Sequence, residues 1–328
     1  MKTGKISEPI LIRSVLKQLK KRREDVLQGP KIGGQQGILN VATKDNLVVS
    51  TTSFIGSKKE VGSFGMMEAL YRMVVTGVEP VGVTLSILLP DKMEEKALKT
   101  MMEEFRLVCN EWNIDIINGH TEVSKVVKEP IITVNAIGAS EQQIQGQCLQ
   151  EGQELVVVGY CGLSGSVRLA HRKEKELLER YSHSFIEDCQ KLKEQLWIKK
   201  GIEILREKEC SVYHIGKGGV FGALWKFAEG SNVGLSVNLM KIPFKQETIE
   251  VTEFFNINPY YLESIGCLLV GCSNGNELVE QMEKNGISAT VIGKVTKEQS
   301  RVIYHEDEER YLEQPKADEI NKILEMEW

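Results

Sequence analysis

The most informative stretch of this chain is residues 114–124, Ile-Asp-Ile-Ile-Asn-Gly-His-Thr-Glu-Val-Ser. Its apolar, β-branched start predicts a short strand over 114–118. The polar residues His120, Thr121 and Glu122 follow, and we predict that they lie in a turn facing a cleft. A second stretch, Gly-Gly-Val-Phe-Gly-Ala-Leu at 218–224, follows a predicted strand at 211–215 and begins a predicted helix over 219–229.

Strands and helices alternate on both sides of these two stretches. Apolar periodicity predicts further helices at 8–24, 62–76, 92–111, 276–285 and 316–327, and a mostly helical, highly charged region at 164–206. Further strands are predicted at 46–54, 81–89, 130–138, 154–159, 232–238, 266–272 and 288–294. This alternation indicates an α/β or α+β protein. The polar segment 139–152 separates two halves, so we expect domains at 1–150 and 151–328.

Composition excludes several classes of protein. The chain has 328 residues, of which 41% are hydrophobic and 27% charged, as in ordinary globular proteins. Its net charge of −5 gives no general affinity for nucleic acid or anionic lipid. Basic residues concentrate at 1–24 and acidic residues at 306–328, which we interpret as solvated helix faces. No apolar run approaches the ~20 residues that span a bilayer, so we expect neither a membrane nor a nucleic-acid partner.

The seven cysteines are scattered and none forms a Cys-x-x-Cys pair. Neither a zinc site nor a disulfide framework is therefore indicated. Isolated cysteines in apolar contexts are more often small core residues than reactive ones. Since nothing in the first residues resembles a signal peptide, we expect a reduced, cytoplasmic protein without a bound metal.

Six segments in this order resemble the superfamily of aminoimidazole ribonucleotide (AIR) synthetase, which includes a hydrogenase-maturation dehydratase, thiamine-monophosphate kinase and selenophosphate synthetase. They are 76–82 (Thr-Gly-Val-Glu-Pro-Val-Gly), 118–124, 130–138, 218–224, 257–262 and 287–295. The resemblance implies a two-domain PurM-like fold. It also implies a homodimer in which the N-terminal domains form a barrel-like β core, with ATP bound in clefts at the dimer interface.

In the superfamily, carboxylates bind magnesium, and the magnesium ion binds the phosphate oxygens, because magnesium prefers hard oxygen ligands. The matching positions here are Gly33-Gly34-Gln35, Ser50-Thr51-Thr52, Tyr71-Arg72 and His214-Ile-Gly-Lys-Gly-Gly219. Four of these positions lose a negative charge. Two more, Arg72 and Lys217, replace a negative with a positive charge, so the charge of the site becomes more positive by eight units. A charge pair ~4 Å apart is worth about 4 kcal/mol at an effective dielectric near 20, so magnesium cannot bind here as in the relatives.

The resemblance and the residue chemistry together give a set of candidate site residues. Candidates for ligand binding are Gly33, Gln35, Thr52, Arg72, Asn118, Gly119, His120, Thr121, Lys217, Gly218 and Gly219. Candidates for acid–base catalysis are His120, Glu122 and His214. The plainer alternatives are that 120–122 form a structural turn and that His214 is a hydrogen-bonded structural residue. Backbone N–H groups at Gly218 and Gly219 would favour an anion if they begin a helix.

Three functional hypotheses follow. The leading one is a divergent member that binds an anionic or nucleotide-like ligand, or a protein partner, without conventional magnesium–ATP chemistry. The second is an active ATP-dependent enzyme that transfers a phosphoryl group to a carbonyl or amide oxygen and whose metal ligands have moved to Glu68, Asp115 or Glu122. The third is a structural subunit with an empty cleft. ATP is a candidate ligand in the first two, and the missing carboxylates argue against magnesium.

Overall fold

A computed structural model describes residues 4–5, 7–31, 37–40, 46–58, 60–140 and 148–324. The chain divides into two compact units, Met1–Gln145 and Gly146–Trp328. The division lies inside the polar segment 139–152 of the sequence. The candidates Gly33 and Gln35 lie outside the described residues.

Unit 1 is built on a five-stranded sheet with the order β1-β6-β5-β7-β4, in which only β5 and β6 run parallel. Its strands are β1 (Gly4–Lys5), β4 (Asn46–Ile55), β5 (Pro80–Pro90), β6 (Asp115–Ser124) and β7 (Ile131–Ser140), and a separate ladder pairs β2 (Val26–Gln28) with β3 (Ile38–Leu39). Its helices are α1 (Glu8–Ile10), which continues as π and 3-10 turns to Gln18, α2 (Glu60–Val74) and α3 (Glu95–Trp112).

One face of this sheet is covered by helix α2, which packs on β4 and β7 and contacts α3. Phe54 of β4 stacks on Phe64 of α2 with ring centroids 6.4 Å apart, and Gly65 lets the helix backbone approach Ile132 of β7. On the opposite face, which we call the open face, the side chains of Leu47, Val49 and Ile55 are 58%, 56% and 53% exposed. Alternation along β4 therefore separates a buried face from one that a single chain leaves uncovered.

Unit 2 contains a seven-stranded sheet with the order β14-β13-β10-β12-β8-β11-β9. Its strands are β8 (Glu154–Val158), β9 (Cys210–Gly216), β10 (Gly234–Asn238), β11 (Ser264–Cys272), β12 (Ala289–Thr296), β13 (Arg301–His305) and β14 (Glu308–Tyr311). Its helices are α4 (Leu163–Arg172), α5 (Glu174–Leu177), α6 (His183–Lys191), α7 (Lys199–Arg206), α8 (Gly219–Ser231), α9 (Gln246–Phe254), α10 (Gly275–Lys284) and α11 (Ile320–Leu324). All nine residues of β11 are buried.

Two apolar clusters hold unit 2 together. One joins α8 to the sheet through residues such as Leu224, Phe227 and Leu269. The other gathers α4, α6, α9 and α11, and includes Leu169 and Val251. Across the described parts of both units, no helix is long and apolar enough to cross a membrane.

The structure confirms most of the predicted elements and corrects three predictions. The predicted turn at 120–122 is wrong, because β6 continues to Ser124 and pairs with β5 up to Pro90. The first predicted helix ends at Gln18 rather than at 24, because the backbone N–H groups of Arg22 and Arg23 donate to a side chain instead of continuing a helix. The last predicted helix, at 316–327, begins only at Ile320. The region 164–206 is mostly helical as predicted, and its helices are α4 to α7.

Helix α9 and the β13–β14 hairpin were not predicted. The five-stranded sheet of unit 1 has free edges at β1 and β4, so the described strands of one chain do not close into a barrel.

Candidate functional site

A groove of ≈ 530 Å³ in unit 1 brings together four of the predicted ligand-binding residues, Asn118, Gly119, His120 and Thr121. We call it the β5–β6 groove. Its other polar lining residues include Thr84, Ser86 and Asn135, and its apolar lining includes Leu11, Val15, Leu19 and Met102. A concave site with an apolar wall and a few convergent polar groups is the usual form of a small-molecule pocket.

The polar side of the groove is a row of side chains that crosses the sheet. Strand register places Thr51 opposite Asn135, Asn135 opposite Thr84, and Thr84 opposite Asn118. Thr51 Oγ1 donates to Asn135 Oδ1 over 2.8 Å, and Asn135 Nδ2 donates to Thr84 Oγ1 over 3.0 Å. Asn118 Oδ1 accepts a hydrogen bond of 2.9 Å from the backbone N–H of Gly119. These bonds fix the orientation of both amides, which favours selective recognition of a polar ligand.

His120 and Glu122 lie two residues apart on β6 and therefore on the same face of the strand. His120 Nε2 and Glu122 Oε2 are 3.2 Å apart, and both side chains are exposed. Thr121 points the other way and is buried. An imidazole and a carboxylate in hydrogen-bond contact could exchange a proton with a ligand.

Thr52 and Arg72 are not among the residues that line the groove. Thr52 lies on the helix-covered face of β4, and its buried Oγ1 has no hydrogen-bond partner in the described part of the chain. Arg72 is exposed near the end of α2, next to Tyr71, which packs edge-to-face on Trp112. The structure thus separates these two candidates from Asn118–Thr121.

Two of the carboxylates proposed as relocated metal ligands, Glu68 and Asp115, are buried within unit 1. Glu68 is buried in α2. Both oxygens of Asp115 accept the backbone N–H of Arg22, at 2.9 and 3.0 Å, and Oδ2 also accepts that of Arg23 at 2.9 Å. Among the described residues, no group of three or more His, Cys, Asp or Glu side chains could hold a metal ion.

In unit 2 the signature turn 214–219 joins β9 to α8. Gly216, Gly218 and Gly219 all have positive φ (54°, 89° and 66°), which a side chain would disfavour. The buried His214 accepts a hydrogen bond of 3.3 Å at Nε2 from the backbone N–H of Gly266, as a structural histidine would. Lys217 is exposed.

The N–H of Gly218 already has a partner from within the chain. It donates to Asp318 Oδ2 over 2.7 Å, while Asp318 Oδ1 accepts the N–H groups of Glu263 and Ile320, each at 3.1 Å. Burial, and then the charge of Glu263, raise the pKa of Asp318 to about 6. An external anion at Gly218 would have to displace this carboxylate.

Sequence reasoning missed Asp318 and a buried ion pair beneath it. Arg168 Nη1 lies 2.9 Å from Glu263 Oε2, and both side chains are buried. The two residues are 95 positions apart, and no local pattern pairs them. The acidic composition of 306–328 predicts a solvated helix face, and nothing in that composition distinguishes Asp318 from its acidic neighbours.

Comparison with known proteins defines the class. Residues 33–140 match the N-terminal domain, and residues 150–306 the C-terminal domain, of the AIR synthase related protein family. The chain belongs to this family, which confirms the resemblance seen in its sequence.

Individual relatives are similar to this chain over most of its length. A putative hydrogenase expression/formation protein of Methanocaldococcus jannaschii is 26% identical over 269 residues, which are 80% of this chain and 78% of that protein. The structure of Escherichia coli HypE has a TM-score of 0.78 and 18% identity, and covers 97% of this chain and 100% of its own. A structure of the hydrogenase maturation protein HypE in complex with ATP has a TM-score of 0.74 and 16% identity, and covers 95% of each chain. These structures share the two-domain PurM-like fold.

Proposed function

We propose that this protein binds a small anionic or nucleotide-like ligand in the β5–β6 groove and does not carry out conventional magnesium–ATP chemistry. The observation that carries this proposal is the hydrogen-bonded row of Asn135 and Thr84 beside Asn118 in a groove of ≈ 530 Å³. Amides fixed by neighbouring side chains offer donors and acceptors to a ligand at little further entropic cost.

The charges at the family positions support the part of this proposal that concerns magnesium. Thr52 offers a hydroxyl and Arg72 a cation where the resemblance implies carboxylates. Asp115, which could have replaced them, uses both oxygens on backbone N–H groups. Magnesium needs one or two carboxylates in addition to phosphate oxygens, and these residues do not provide them. Arg72 and Lys217 stay predicted anion contacts, and neither lines the groove.

A second candidate function is ATP-dependent phosphoryl transfer. The contact between His120 and Glu122 favours it, because this pair could act as an acid–base couple beside a bound nucleotide. The similarity to a protein whose structure was determined with ATP is also in its favour.

We further propose that two copies of the chain pair through the open face of unit 1 and form the barrel-like β core that the family implies. Leu47, Val49 and Ile55 lie on the same side of β4, each more than half exposed, with the polar Thr51 and Ser53 between Val49 and Ile55. Exposed apolar residues grouped on a sheet face in this way are typical of an interaction surface. Val49→Glu should convert the dimer into monomers in sedimentation analysis, and an unchanged dimer would show that the open face is not the interface.

Calorimetric titration with ATP, with and without magnesium, tests the binding function. We expect magnesium-independent binding that Asn118→Ala weakens by roughly five- to tenfold, as the loss of one hydrogen bond would. Asn276→Ala on the exposed side of α10 is the matched control and should bind as the wild type does.

Two other outcomes would contradict the proposal. Magnesium-dependent binding with phosphate release, abolished by Glu122→Gln, would establish the enzyme. No binding at all would leave a structural subunit as the remaining interpretation.

A further inference from the structure

A second cavity of ≈ 280 Å³ adjoins the β5–β6 groove and is lined by an excess of positive charge. Its basic lining residues are Lys20, Lys21, Arg22, Lys31 and Arg106, and we call it the basic pocket. It shares the lining residues Leu16, Leu19, Pro30, Lys31 and Ile116 with the groove, so the two cavities are neighbours. Asp115 is the acidic residue among its described lining residues.

Asp115 offsets one of the five positive charges in this lining. Its two oxygens accept the backbone N–H groups of Arg22 and Arg23, and it lies 3.5 Å from the guanidinium of Arg22. The described lining therefore contains five basic residues and one carboxylate. Concentrated charge of one sign in a concave site raises the local concentration of counter-ions.

The guanidinium of Arg22 is held in place by its surroundings. Its Nε and Nη2 donate to Asn110 Oδ1 over 3.1 and 2.7 Å, and its Nη1 donates to the carbonyl oxygen of Lys20 over 2.7 Å. Three of its five N–H groups are thus used, and the charge is fixed at the wall of the pocket. A fixed cation loses little entropy when it binds an anion.

Arg106 lies on α3 one helical turn before Asn110, the residue that holds Arg22. It is half-buried and makes no hydrogen bond or ion pair with any residue that the structure describes. Two guanidinium groups that line one pocket repel each other, and an anion bound between them would reduce this repulsion. Arginine matches phosphate particularly well, because its planar fork can donate two parallel hydrogen bonds.

We infer that the basic pocket binds the phosphate end of a small phosphorylated molecule whose uncharged body lies in the β5–β6 groove. The position of the body rests on the proposed function, whereas the phosphate site depends on the basic pocket alone. Phosphate is favoured over a single carboxylate because five cations against one carboxylate leave room for two or more negative charges. The site also differs from the anion contacts that the sequence predicted at Arg72 and Lys217.

Calorimetric titration with inorganic pyrophosphate, without magnesium and at low ionic strength, tests this inference. We expect the wild type to bind, and Arg106→Gln to weaken binding tenfold or more without changing the thermal melting profile. Arg206→Gln, at an exposed position on α7, is the matched control. Because contacts between phosphate and cations are screened by salt, the affinity of the wild type should also fall as the salt concentration rises.

The outcomes separate the two proposals. If Asn118→Ala weakens ATP binding while Arg106→Gln changes neither ATP nor pyrophosphate binding, the groove stands and the basic pocket is a solvated surface. If Arg72→Gln weakens pyrophosphate binding and Arg106→Gln does not, the anion lies at the position implied by the family, and the inference is wrong. Absence of pyrophosphate binding to the wild type would also overturn it.

Discussion

The buried ion pair between Arg168 and Glu263 should control the stability of unit 2. The two side chains are 5% and 1% exposed, and their charged atoms lie 2.9 Å apart. The backbone of Glu263 also joins neighbouring segments, since its carbonyl oxygen accepts from Ser164 Oγ and from the N–H of Gly165, each over 3.0 Å. Glu263→Gln would remove the negative charge that lies 2.9 Å from the buried guanidinium of Arg168.

Removing one partner of a buried ion pair typically costs about 3–5 kcal/mol. Part of this loss is offset here, because the charge of Glu263 disfavours the nearby Asp318 carboxylate. We therefore expect Glu263→Gln to lower the free energy of unfolding of unit 2 by about 2–4 kcal/mol. Glu280→Gln is the control, because Glu280 is 71% exposed and lies 3.5 Å from Lys284. An exposed pair of this kind contributes no more than about 0.5 kcal/mol.

Denaturant-dependent hydrogen exchange of β11 peptides measures this free energy for unit 2. Replacing both partners, Arg168→Met with Glu263→Met, should recover much of the loss, because no unpaired charge is then buried. A Glu263→Gln protein as stable as the Glu280→Gln control would refute the reasoning.

The pH dependence gives a second, independent test of the same contact. The folded protein raises the pKa of Asp318 from 3.8 to about 6, so the folded state holds its proton more tightly than the unfolded state does. The contribution of Asp318 to stability must therefore decrease as the pH rises from about 4 through about 6. Glu263→Gln should make this decrease smaller, because only burial then raises the pKa of Asp318.

Two further predictions concern single residues. Gly219→Ala should destabilise unit 2 by about 2 kcal/mol or more in thermal melts, because Gly219 has positive φ and an added Cβ would clash with the carbonyl oxygen of Tyr260. Gly230 lies in the same helix with open space around its Cα, so Gly230→Ala should be neutral or stabilising in the same thermal melts. Iodoacetamide should modify Cys148 first in the native protein, because it is exposed, whereas burial raises the pKa of the Cys109 thiol to about 12. Equal rates at both cysteines, read by peptide mass spectrometry, would contradict this.

Local signals were sufficient for much of the fold. The sequence predicts that the helix now called α2 ends at Gly77. Gly77 has positive φ, as glycines that follow a helix often do, and α2 ends three residues earlier, at Val74. Helix α3 was found because its apolar residues, such as Leu98, Met101 and Phe105, recur at helical spacing and are all buried. Apolar residues that recur at helical spacing can be recognised in the sequence without knowing which residues they pack against.

The groove was only partly predictable, for a physical reason. Polar residues in a strand with an uncovered face resemble a turn, so His120 and Glu122 were placed after β6 instead of within it. The row from Thr51 to Asn118 depends on the register of four strands, which no local pattern specifies. The basic pocket likewise depends on a contact between Arg22 and Asn110, which are 88 residues apart in the sequence.

Asp115 lines the basic pocket and also lies on the strand that carries residues of the β5–β6 groove. It begins β6, the strand that brings Asn118 and His120 to the groove. Its oxygens also hold the backbone of Arg22 and Arg23, and so keep the guanidinium of Arg22 at the wall of the basic pocket. The guanidinium of Arg22, 3.5 Å from Asp115 Oδ1, disfavours a second cation such as magnesium at this carboxylate. The same residue that the enzyme hypothesis offers as a metal ligand would therefore support the anion site that we propose.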